Sequence, residues 1–464
     1  MSKLERYGLL GGCFLISAAV LALPMRTGPA PYTPPDPVPP PVSPHVPADP
    51  SRAEISLPLG SSAVLRAGLS QAVVARATEQ VVDVAMEVEG TRAQSGQSRA
   101  LVLCLDRSGS MAGRNMDQAL ESARWFIRSL SEDDELALVS FSTRPGVDLP
   151  LTRADAAGKA AALAVVDAMH ARGGTHLHGG LSLAVAEAAR SGAPIHRVVL
   201  VSDGVPTEGD VRAASILSLA GEAASQGVTV TTLGVGSQAP GGLMERVAVA
   251  AGGNFRFIRD GAGIREALQA ELNASGRLAV RDVRVRLALP DGATLGATSG
   301  AIPEMQGRTV WARVGDVAAG DRRHVMFRVH LPAENVSGWS FAVHAVGRQS
   351  STTVDTDGTL LASVSDDAAA VARSRIEWVM GQALLAAAAT EVKAAAEAYS
   401  RGDSGGGVLR LREVANKMDE AARKQPALAP KARALRLFVD DADKETDPGM
   451  AANGATARAF DLAQ

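Results

Sequence analysis

Two cysteines in 464 residues leave this chain without a disulfide framework, since Cys13 lies in an apolar N-terminal run and Cys104 in a segment patterned as a buried strand. Neither sign of charge is in excess: 47 basic and 50 acidic residues are interspersed, for a formal charge of −3. That balance excludes the basic surface that nucleic acid or an acidic membrane selects. Also missing are a GxSxG elbow, an HExxH pair and a GxxxxGKS/T phosphate loop, the signatures of common hydrolases and nucleotide-binding enzymes. Beyond the N-terminus no segment is long and apolar enough to span a bilayer.

What is present begins with a leader. Lys3 and Arg6 precede an apolar stretch from Gly8 to Met25, the layout of a signal peptide or signal anchor over residues 1–25. Val20 and Ala22 are small enough for cleavage after Ala22, while a stretch of about 18 residues is near the minimum for spanning a bilayer. Cys13 imitates a lipid-attachment box, but the apolar run continues past it. Export to the periplasm or cell surface is expected in each case. Residues 26–52, with the run PAPYTPPDPVPPPVSPHVPADP, read as an extended spacer.

The remaining chain is long enough for two or three cores. Apolar and polar residues alternate within 53–98, clearest from Val82 to Val88, as on a half-buried antiparallel sheet. The rhythm changes at Arg99. Ala100 to Leu105, ALVLCL, is apolar throughout, as expected of a strand covered on both faces. From there to residue 275 helices and strands alternate, which predicts a doubly wound, mostly parallel α/β sheet. Over 276–365 the β pattern returns, with Val283, Val285, Leu287 and Leu289 on one face and Arg284 and Arg286 on the other. This predicts an antiparallel sandwich that residues 53–98 complete, with the α/β domain inserted into it. Residues 366–443 read as a helical region containing a hairpin around the glycine loop at 402–407, with Trp378 and Tyr399 as packing residues. Residues 444–464 read as a flexible tail.

Ligands of doubly wound sheets bind at the C-terminal strand ends, so the segments after Leu105 and Val201 carry the candidate site. Asp106-Arg107-Ser108-Gly109-Ser110 leaves the apolar strand with a carboxylate and two hydroxyls at alternate positions, and Gly109 lets the backbone bend between them. Hard cations such as Mg2+ prefer such oxygens. Taken alone, the pattern is far more often that of a turn whose Asp and Ser cap a helix. Two further loops point to the same place: Gly173-Gly174-Thr175-His176 brings a hydroxyl, and Val201-Ser202-Asp203-Gly204 a second carboxylate.

In this order and spacing, the three segments resemble the metal-ion-dependent adhesion site of von Willebrand factor A domains. The likeness extends over about residues 99–273, including Leu233-Gly234-Val235-Gly236 and Gly252 to Ile258. Within that family the chain is most similar to bacterial relatives of calcium-activated chloride channel proteins and of inter-α-trypsin inhibitor heavy chains. The resemblance implies that Ser108 and Ser110 ligate the ion and that Thr175 does so directly or through water. It assigns Asp106 and Asp203 a role mainly through water. The ion would be Mg2+, with Mn2+ or Ca2+ as substitutes, and a protein partner's Asp or Glu would complete its shell. Arg107, His176 and His178 are candidates for a rim that touches the partner. The expected function is therefore a metal-dependent binding or adhesion module rather than an enzyme. A metal-dependent hydrolase and a structural subunit of an envelope complex are the alternatives, and the oligomeric state stays open.

Overall fold

The computed structural model describes residues 50–464 apart from 77, 95 and 334–337, so the expected leader, Cys13 and all but the last three residues of the spacer lie outside the described residues. A 3-10 turn at Pro50–Ala53 leads into β1 (Glu54–Leu59), β2 (Ala63–Leu69), β3 (Val73–Ala75) and β4 (Gln80–Gly90). Next come β5 (Arg99–Asp106), α1 (Arg114–Ser129), β6 (Glu135–Phe141), β7 (Pro145–Arg153), α2 (Ala156–Ala168) and α3 (Leu177–Ala189). The alternation continues with β8 (Ile195–Ser202), α4 (Ala213–Ser225), β9 (Val228–Val235), α5 (Gly241–Ala250), β10 (Gly252–Ile258) and α6 (Ile264–Ser275). Strands then return as β11 (Leu278–Ala288), β12 (Thr294–Ser299), β13 (Pro303–Gln306), β14 (Thr309–Ala318), β15 (Arg322–Leu331), β16 (Gly338–Gln349) and β17 (Thr352–Ser365). The chain closes with α7 (Ala368–Arg373), α8 (Glu377–Ser400), α9 (Ser404–Lys424), α10 (Ala429–Ala442) and α11 (Pro448–Ala463).

The α/β unit is one six-stranded sheet in the order β10-β9-β8-β5-β6-β7, parallel except for β7. Every residue of β5 and β8 is buried, which is why Ala100–Leu105 and Val198–Val201 within them read as continuous apolar runs. Side-chain alternation splits β5 between two cores. Leu101, Leu103 and Leu105 meet α1 and α6 on one face, while Val102 and Cys104 meet α3, α4 and α5 on the other. Cys104 is a free, buried core residue.

The early and late strands form the expected sandwich. One sheet runs β1-β2-β4-β15-β12 and the other β13-β14-β11-β16-β17-β3. Val82, Val84, Met86 and Val88 of β4 share a core with Val283, Val285 and Leu287 of β11. The α/β unit is thus an insertion between two halves of one sandwich.

Two expectations change, and four strands go beyond the expected ones. The edge strand β7 and the sandwich strands β12, β13 and β17 carry weaker patterns than the strands they pair with, because their residues are largely exposed or half-buried over much of their length. The alanine-rich helix expected from residue 366 breaks at Ser374 to Ile376, where Gln71 bridges Arg375 and the chain turns from the sandwich into α8. The tail expected to be mobile is helix α11. Asp447 caps it through Oδ1, accepting from Gly449 N at 2.8 Å and Met450 N at 3.2 Å. Its small residues Ala451, Ala452 and Ala455 pack into the core built by α8, α9 and α10. Its far end reaches the α/β unit, where Phe460 stacks edge-on to Phe255 with ring centroids 6.3 Å apart. Burial of α11 against elements remote in sequence overrides its weak local signal. Among the described residues no helix is long and apolar enough to cross a membrane.

Candidate metal-binding site

Because β5 sits between β6 and β8, the loops that leave the C-terminal ends of β5 and β8 diverge and open a crevice. Asp106 ends β5 and is fully buried. Its Oδ1 accepts from Ser108 N at 2.8 Å and its Oδ2 from Ser202 Oγ at 2.6 Å, which fixes the turn that follows. Ser108 Oγ lies 3.0 Å from Ser110 Oγ, and Ser110 Oγ donates to Asp203 Oδ1 at 2.7 Å. The first and third loops are therefore joined by side-chain oxygens.

Backbone ties bring in the second loop. Gly109 N donates to Gly173 O at 2.9 Å, and Thr175 N to Thr207 Oγ1 at 2.9 Å. Gly173 has φ +74°, and a Cβ there would stand 2.5 Å from Thr143 Oγ1, so this approach needs glycine. The three hydroxyls face one small volume. The position that a Cβ on Gly204 would take is 3.1 Å from Ser110 Oγ, 3.3 Å from Thr175 Oγ1 and 3.9 Å from Ser108 Oγ. Glycine at 204 keeps that volume clear.

The electrostatics are those of buried acids without a counter-charge in protein. Burial pushes the Asp106 carboxyl up to about 6, against the bonds from Ser202 and Ser108 that stabilise its charged form, and nearby Asp203 adds to the rise. Burial also raises Asp203, opposed by bonds from Ser110 and Asn115. Neither carboxylate forms an ion pair among the described residues. Two buried carboxylates with no cation are costly, and an oxygen-only donor set beside them suits a hard divalent ion.

All five sequence-predicted residues, Asp106, Ser108, Ser110, Thr175 and Asp203, thus line one crevice. The predicted rim behaves differently. The Arg107 side chain turns back to the sheet and donates from Nε to Ser140 Oγ at 2.8 Å. His176 caps α3, its Nδ1 accepting from Gly179 N at 3.1 Å. His178 sits half-buried in the first turn of α3. Sequence reasoning missed Ser202, Asn115 and Thr207, which hold Asp106, Asp203 and Thr175 in place. For Ser202 the available signal was a hydroxyl between the apolar run Val198–Val201 and Asp203.

A second group, His344, Asp355 and Asp357, lies on the sandwich with candidate ligand atoms within 4.8 Å of one another. There Asp357 Oδ1 is 2.9 Å from His344 Nδ1 and 3.4 Å from Arg286 Nη2.

The family model described as von Willebrand factor type A domain matches residues 100–270. The chain is 25% identical over 253 residues to sll0103 of Synechocystis sp., covering 51% of this chain and 59% of that protein. It is 28% identical over 191 residues to YfbK of Escherichia coli, covering 40% of this chain and 33% of that protein. Inter-alpha-trypsin inhibitor heavy chain H4 of Homo sapiens is 29% identical over 168 residues, 34% of this chain and 18% of that protein. The chain thus matches less than two thirds of the length of each of these relatives. Among solved structures, a von Willebrand factor type A protein from Catenulispora acidiphila has a TM-score of 0.64 at 23% identity, covering 82% of this chain and 91% of that one. The ArnB paralog VWA2 from Sulfolobus acidocaldarius has a TM-score of 0.63 at 15% identity, covering 87% and 100%. Both likenesses establish the fold over most of the chain. Domains of this family commonly mediate protein interactions, are typically not enzymes and often bind a divalent metal ion. Residues 100–270 of this chain are a von Willebrand factor A domain.

Proposed function

We propose that this protein is an exported binding module that captures an acidic group of a protein partner through a divalent cation, Mg2+ in the first instance. Ser108, Ser110 and Thr175 would hold the ion through hydroxyl oxygens, with Asp106 and Asp203 balancing its charge from behind. A bound ion supplies an electrophilic centre that a partner's Asp or Glu can join. The chain's own contribution is to preorganise the oxygens: Ser202 and Ser108 N orient Asp106, Asn115 and Ser110 orient Asp203, and Gly204 excludes a side chain from the centre. The observation that carries this reading is the convergence of hydroxyls from three loops beside two buried carboxylates that have no cationic partner. The leader expected over residues 1–25 would deliver the module to the cell envelope.

Two measurements test it. Affinity capture from envelope extract with the wild type and with Asp106→Ala, each in Mg2+ or chelator, is expected to retain a partner only for wild type with Mg2+. The same proteins retained in all four conditions would eliminate the reading. Gly204→Ala, which sets a methyl against Ser110 and Thr175, is expected to weaken Mg2+ binding at least tenfold by calorimetry, and an unchanged affinity would remove the ion from this crevice.

A further inference from the structure

At the other end of β8 a cleft of about 460 Å3 separates the α/β insertion from the sandwich. One wall is apolar and backbone, from Ala193, Pro194, Ile195 and Val228, and the other carries Arg281, Arg313 and Arg348. Its carboxylates are already engaged. Asp282 pairs with Arg313, and Asp316 accepts from Arg197 Nη2 at 2.7 Å and Thr229 Oγ1 at 3.1 Å.

Arg281 and Arg348 stand directly opposite each other on β11 and β16, a like-charge cross-strand pair that costs stability unless something lies between the charges. Arg281 Nη2 reaches only the backbone oxygen of Ser350, its Nε is buried without a partner, and the Arg348 side chain makes no hydrogen bond or ion pair among the described residues. Backbone strain concentrates in the same place. Asp282 and Ser350, with φ of +46° and +52°, are the non-glycine residues in the left-handed region among the described residues, and both line this cleft. The β11 ladder slips register between Arg281 and Arg284, so the strain at Asp282 belongs to the bulge that carries Arg281.

The geometry points to a second ligand site here, for a phosphate monoester whose dianionic head sits between the Arg281 and Arg348 guanidiniums and whose organic body lies along Pro194 and Val228. Two guanidiniums that hydrogen-bond no carboxylate, the neighbouring Asp282 and Asp316 being paired with Arg313 and Arg197, suit the charge of about −1.5 to −2 that a phosphate monoester carries at neutral pH, whereas a single carboxylate reaches only one of them. The volume lies in the range of small-molecule pockets, about 300–1,000 Å3, and exceeds what an inorganic ion alone fills. The site is remote from the Asp106 crevice and does not depend on the function proposed for it.

The test is calorimetric titration of the full chain, in chelator, with phenyl phosphate, inorganic phosphate and benzoate. Saturable binding is expected in the order phenyl phosphate, then phosphate, then benzoate. Arg348→Ala, a half-buried strand position whose folding is checked by circular dichroism, is expected to weaken phenyl phosphate at least tenfold, with Arg348→Lys intermediate. No saturable binding of phenyl phosphate at millimolar concentration, equal affinity for benzoate, or an unchanged affinity in Arg348→Ala would each overturn the assignment.

Discussion

The two ends of the α/β sheet handle buried carboxylates in opposite ways. Near the start of β8, Glu271 accepts from Arg197 Nη1 at 2.9 Å, Thr231 Oγ1 at 2.8 Å and Asn254 Nδ2 at 2.9 Å, and Arg197 also holds Asp316 of the sandwich. Past its end, Asp106 and Asp203 are equally enclosed yet meet only hydroxyls, a side-chain amide and backbone N–H groups. A charge buried for architecture is answered in place, because an unanswered one costs several kcal/mol. A charge buried and left short of a cation is poised for a ligand. The contrast therefore separates the acids answered at one end of the sheet from those at the other end that the proposed function assigns to the ion.

The largest effect should come from breaking the answered end. Arg197→Met removes the partner of Glu271 and Asp316, and urea denaturation is expected to show a loss of about 3–5 kcal/mol. A loss below about 1 kcal/mol would mean that the network is not what ties insertion to sandwich. At the other end the sign reverses. The Asp106 carboxyl titrates near 6 when folded against 3.8 as its ordinary value, so between those values the folded state holds the extra proton. The contribution of Asp106 to the stability of the metal-free protein is therefore full below about pH 4 and is lost as pH rises through 6, by about 3 kcal/mol for a shift of about two pH units. Asp106→Asn should abolish this fall, making the metal-free variant the more stable one at pH 7.5 and matching wild type near pH 4. The same variant should lose stabilisation by Mg2+, and a wild-type stability that rises from pH 4 to 7 relative to Asp106→Asn would contradict the comparison. The smallest effect lies outside both ends. Asp447→Ala removes the cap of α11 and should cost about 1 kcal/mol in the same denaturation assay, with no change in Mg2+ affinity.

Much of this was legible beforehand because the informative residues are adjacent to strong patterns. Asp106 and Asp203 follow two strands buried on both faces, and such strands announce themselves as unbroken apolar runs. Thr175 follows the glycines that its loop requires. The supporting residues were not legible. Ser202 and Asn115 act on carboxylates from other loops, and no local spacing reveals which partner they will meet. Arg107 sits between Asp106 and Ser108 and looked available to a partner, but Ser140 of the neighbouring strand takes its guanidinium. The tail from 447 carries Gly449 and Gly454, which argue against a helix, and it is helical because a groove assembled from three other helices accepts its small side chains.

Sequence alone determined the alternation of strands and helices, the insertion of an α/β unit into β structure, and the identity of the oxygen-bearing residues at the strand ends. Those are properties of period and position along a chain, and burial imposes them locally. Only the tertiary structure decided which charges are answered and which are left open, because that depends on what packs opposite, as Arg197 does for Glu271 and nothing cationic does for Asp106.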